Sequence, residues 1–76
     1  MATIGEQAIA IIQKFQTVGS WPLDLSDAPA VLAKVSVMLV PYGSKPAAIL
    51  NNMHERGFTD VQFEDVQQVR EFILTQ

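Results

Sequence analysis

The sequence predicts an all-α fold, a single-domain bundle of four or five short helices around a central apolar helix. Three observations lead there. Apolar residues recur at three- and four-residue spacing near both ends of the chain. Helix-starting and helix-stopping residues punctuate it, with Thr3, Pro29 and Pro46 at starts and Gly19 and Gly57 after ends. The one stretch that could alternate along a strand, Val35, Val37 and Leu39 with Ser36 and Met38 between them, has only residues 61–63 as a conceivable partner. A strand without a partner leaves its backbone unpaired, so helix is the better assignment.

The first helix starts at "TIGE", where Thr3 at the N-cap and Glu6 three residues later match a capping box. Ile4, Ala8, Ile11, Ile12 and Phe15 then form a stripe, with Gln7, Gln13, Lys14 and Gln16 off it. Gly19 supplies the stop, because a left-handed residue after a helix is strained for any side chain with a Cβ. Residues 19–29, "GSWPLDLSDAP", read as an ordered connector whose Trp21, Leu23 and Leu25 turn back onto the core.

Ser26 or Asp27 can cap the second helix, expected over about residues 28–40, with Pro29 in its first turn where a missing N–H costs nothing. It lies within "PAVLAKVSVMLVPYG", a run in which Lys34 is the only charge. A helix apolar nearly all round has to be enclosed on nearly all sides. Pro41 obstructs the carbonyl four residues before it, so the helix ends or bends near Val40.

Ser44 is the expected cap of the third helix, with Pro46 in its first turn and Ala47, Ile49, Leu50 and Met53 as its apolar side. Its end is legible: Gly57 at C′ places Phe58 at C″ and Met53 at C3, the pair that touches in a Schellman turn. A fourth helix over about residues 64–75 follows from Phe63, Val66, Val69 and Ile73, with Phe72 beside them. Its start has two readings. Thr59 and Gln62 offer a capping box that would begin it near Asp60, and otherwise "TDVQ" is a short extended connector.

Composition bounds what such a domain can do. At 76 residues its core is thin, since a domain this small buries about 60% of the surface of its unfolded chain. With no Cys, neither disulfides nor thiolate chemistry is open to it, and the cytoplasm is the expected compartment. The amino terminus has no basic stretch before its apolar residues, unlike a secretory signal, and the longest apolar run falls well short of the roughly 20 residues of a membrane-spanning helix. The chain carries eight acids against five Lys and Arg, a net charge of −3. The whole excess lies after His54, where Glu55, Asp60, Glu64, Asp65 and Glu71 face Arg56 and Arg70. That balance repels phosphate backbones and weighs against nucleic acid as a partner.

Catalytic motifs are hard to find. Glu64 and Asp65 are adjacent and point to different sides of a helix, so a solvated face is the expectation for both. His54, the lone His, reads as a partly exposed helix-terminal residue and has no companion at metal-ligand spacing. No phosphate loop or nucleophile elbow occurs, and neither a cofactor nor an enzymatic activity is expected. Leu25, Ser26 and Asp27, opening the second helix of a small acidic four-helix domain, resemble acyl and peptidyl carrier proteins, which bear phosphopantetheine on a Ser in an Asp-Ser-Leu setting. The resemblance implies modification at Ser26. It is one residue deep, for the flanking order is reversed and residues 30–40 are apolar where the family has an acidic recognition helix.

Two binding readings remain. A helix-turn-helix would pair residues 45–56 with 64–75 and use Lys45, Arg56 and Arg70 on DNA, although its reading helix would carry Glu64, Asp65 and Glu71. The composition favours a protein partner. Four short helices leave part of an apolar helix uncovered, and a second copy or another protein completes the shell. A homodimer through the second helix is one form of this, with Trp21, Pro22, Leu39 and Tyr42 as candidate contacts.

Overall fold

In the computed structural model, which describes residues 2–19, 21 and 25–76, the described residues form four α-helices and no strand. They are α1 (Ile4–Val18), α2 (Ala28–Leu39), α3 (Pro46–Glu55) and α4 (Phe63–Leu74), with a 3₁₀ turn over Val40–Tyr42 between α2 and α3. The fold class is the one the periodicity predicts. No helix of the described residues is long and apolar enough to cross a membrane.

Local chemistry sets most of the boundaries. Thr3 caps α1 by accepting the Glu6 N–H on its hydroxyl at 3.1 Å, and Gly19 closes it at φ 80°, donating to the Phe15 carbonyl. Pro29 lies in the first turn of α2, and Pro41 converts its end into the 3₁₀ turn, which tightens the chain where the α-helical bond is lost. The end of α3 is a Schellman turn: Phe58 N–H donates to the Met53 carbonyl and Gly57 N–H to that of His54, each at 3.0 Å, with Gly57 at φ 98°.

Three expectations are corrected. Lys45, not Ser44, is the N-cap of α3, because the residue before Pro46 is forced into the extended region and Lys45 sits there at φ −74°, ψ 151°. Thr59 and Asp60 form a turn and Gln62 is extended at φ −101°, ψ 162°, so α4 begins at Phe63: the alternative start near Asp60 is not used, and "TDVQ" is not extended throughout. Phe63 itself, the first member of the apolar stripe, is 43% exposed.

Burial of Leu32, Ala33 and Ser36 places α2 at the centre. It touches α1, α3, α4 and the 3₁₀ turn. The last helix shares that position, for α4 contacts the same set of neighbours through fully buried Val66 and Val69. Ala8 and Ile12 of α1, Ile49 and Met53 of α3, and Val61 of the connector complete the core.

A second set of contacts locks the ends of the elements. The Asp65 carboxylate accepts the Gly5 N–H at 2.8 Å and the Gln62 N–H at 2.9 Å, and the residue is 6% exposed. The solvated face expected for Glu64 and Asp65 therefore holds for Glu64 alone. His54 Nε2, protonated in this arrangement, donates to the Val61 carbonyl at 2.9 Å and ties the connector to the end of α3.

Candidate functional site

The enclosure expected for α2 is incomplete on one side. Val31, Lys34, Val35 and Met38 recur at three- and four-residue spacing, and this stripe forms one wall of an open groove of about 540 Å³. Arg56 and Phe58, from the end of α3 and just beyond it, form the opposite side, and Leu25 contributes from the connector before α2. A smaller hollow of about 70 Å³ shares Val35, Met38 and Arg56 and extends the depression to Leu39 and Asn52.

Helical geometry explains why α3 ends there. The Schellman turn stops α3 at Glu55 and sends Phe58 back against the core, which brings Phe58 and Arg56 to the α2 stripe. Arg56 is held by its own helix, with Nε donating to Asn52 Oδ1 at 2.6 Å. A guanidinium carries five N–H donors, so four remain for a ligand after that bond.

The chemistry of the groove is apolar with two positive charges. Val31 and Val35 are nearly buried, Leu25 and Phe58 half-buried, and Met38 is 58% exposed. Lys34 and Arg56 are exposed, and they are the charged residues of the lining among the described residues. A protein of net charge −3 thus presents this groove with a positive rim. Tyr42, in the 3₁₀ turn that follows α2, is 88% exposed and lines neither hollow.

The candidate contacts named from sequence are divided by this geometry. Leu39 lines the smaller hollow and Tyr42 stands at its end of α2, whereas Pro22 lies outside the described residues. Trp21 belongs to a different feature: it stacks on Phe15 with ring centroids 4.7 Å apart and packs half-buried against the core. That makes it a lid on the end of α1. Lys34 and Met38 were not among those candidates, although the single charge in the apolar run marks Lys34 as a position that must reach solvent.

The three cations proposed for DNA lie on two helices. Lys45 caps the start of α3 and Arg56 its end, about 15 Å apart for a helix of this length at 1.5 Å per residue. Arg70, on α4, is half-buried with its Nε enclosed and unpartnered. Ser26 is exposed one residue before the N-cap Asp27, and α2 has no acid in its first turn. Among the described residues no cluster of three or more His, Asp or Glu side chains could hold a metal ion.

Comparison with protein-family models, curated proteins and solved structures finds no match to this chain.

Proposed function

We propose that the protein is a small non-catalytic interaction module that binds a protein partner across α2 and the end of α3. The observation that carries this reading is the exposed Met38 beside nearly buried Val31 and Val35 on the α2 wall of an open, largely apolar groove. Uncovered apolar surface of this kind on a small domain is where partners dock. Tyr42, exposed in the turn after α2, is a further contact in this reading, since an aromatic ring gains much from burial in an interface. In this reading the protein works by offering surface, in the cytoplasm, and its partner is a second copy or a different protein.

The test uses the intact chain as bait together with a Met38→Asp variant. Met38 is exposed, so the variant keeps its circular dichroism spectrum and its melting temperature within a few degrees. A partner recovered by the native bait is then purified and titrated against both forms. The expected result is saturable binding that the variant loses. Equal affinity for both forms would place the contact elsewhere on the molecule and defeat the reading.

A further inference from the structure

The occupant of the α2/α3 groove can be specified by its charge and its shape, an inference that rests on the interaction reading above. The groove follows α2 from Val31 to Leu39, about 12 Å at 1.5 Å per residue. Two turns of a docked helix, with apolar anchors at i, i+4 and i+7, cover about the same length. Lys34 stands on the α2 side and Arg56 on the α3 side, so charges flank the apolar floor from both directions. We infer that the groove receives an amphipathic helix of another protein whose apolar stripe is bordered by Glu or Asp.

A second copy of this chain fits the same surface poorly. Under two-fold symmetry the same patch meets itself, so Lys34 and Arg56 of one copy would face Lys34 and Arg56 of the other. With no acid in the lining among the described residues, those four charges would be brought together unpaired. The exposed acids among the described residues, Glu6, Asp27, Glu55, Asp60, Glu64 and Glu71, all lie outside that lining, and a neighbour that presented one of the faces carrying them to the groove would make a head-to-tail contact, which builds rings or filaments rather than a two-fold pair. An acidic helix from a different protein satisfies both cations and the apolar floor at once.

The experiment is a selection from a displayed library of single-helix peptides, randomised at apolar-stripe and flanking positions, against the intact chain. Selected sequences are expected to carry Leu, Ile, Phe or Met at i, i+4 and i+7 with Glu or Asp beside them. Their synthetic peptides should lose roughly tenfold in affinity for a Lys34→Glu/Arg56→Glu variant and should bind more weakly as salt rises. A Lys34→Gln/Arg56→Gln variant carries the same test if charge reversal disturbs the fold. Selection of neutral or basic helices, equal binding to the variants, or no selected sequence at all overturns the inference. The partner titration with Met38→Asp judges the groove itself, so a partner lost with Met38→Asp but bound equally by the double variants would refute the acidic helix and leave the interaction reading standing. Sedimentation of the chain alone completes the set: a dimer abolished by Met38→Asp would assign the groove to a second copy.

Discussion

Asp65 Oδ1 accepts the backbone N–H of Gly5 at 2.8 Å, a bond that joins α4 to the first turn of α1 across 60 residues of sequence. The first N–H groups of a helix have no partner within it, and a carboxylate placed there also opposes the positive end of the helix dipole. Oδ2 of the same side chain accepts the Gln62 N–H at the start of α4, at 2.9 Å. One buried carboxylate thereby serves two helix starts.

Asp65→Ala removes both acceptors and leaves the Gly5 N–H buried without a partner. Hydrogen bonds to a charged group are worth about 1.5–3 kcal/mol each, and the loss here is expected at about 2–4 kcal/mol overall. Urea denaturation with an unchanged slope and a lower midpoint would register it. Glu64→Ala, on the neighbouring exposed residue, should move the midpoint very little.

Gly5 gives the same junction a second test with an inverted sign. Inside a helix, Ala is ordinarily about 1 kcal/mol better than Gly. A Cβ on Gly5, however, would lie 3.0 Å from both the Cα and the carbonyl oxygen of Asp65, and a backbone cannot step aside as a flexible side chain can. Gly5→Ala is therefore expected to destabilise by about 1–3 kcal/mol, the usual range for overpacking. A stabilised Gly5→Ala variant would show that the two helices are further apart than this.

These two residues also mark the limit of what could be read from the chain alone. The start and end of α1 and the Schellman turn after α3 depend on residues within one turn of each other, so Thr3, Gly19, Met53, Gly57 and Phe58 announced them. Asp65 beside Glu64 looks like any solvated pair, since what buries it is a glycine at the other end of the chain. The groove was legible only in part. An apolar helix with Lys34 in its middle implied a side reaching solvent, but that Arg56 would stand across from Lys34 depends on how α3 packs on α2, which no local pattern encodes.

Gly57 tests the turn that brings Arg56 and Phe58 to the groove. At φ 98° with nothing within 4 Å of where a Cβ would stand, a substitution there meets no steric neighbour and pays only for the left-handed backbone. Gly57→Ala is expected to cost about 1–2 kcal/mol. Thermal unfolding measures the cost, and a second readout separates local from global effects: hydrogen exchange at the Phe58 amide should speed up more than at the core amides of α2.

Ser36 and Leu32 lie one turn apart on α2, and both are fully buried, yet they should respond to truncation in opposite ways. Leu32→Ala opens a cavity at the centre of the bundle and is expected to cost about 2–5 kcal/mol. The Ser36 hydroxyl has no hydrogen-bond partner, so it carries a desolvation cost that no bond returns. Replacing it by Ala removes that cost along with a single atom's worth of packing. Ser36→Ala is expected to be neutral or to stabilise by about 1 kcal/mol. Chemical denaturation of the two variants in parallel decides the matter: a loss above about 1 kcal/mol for Ser36→Ala would mean that the hydroxyl is bonded in solution. A loss below 1 kcal/mol for Leu32→Ala falls under the range for an enclosed leucine and would mean that α2 is not the helix the others enclose.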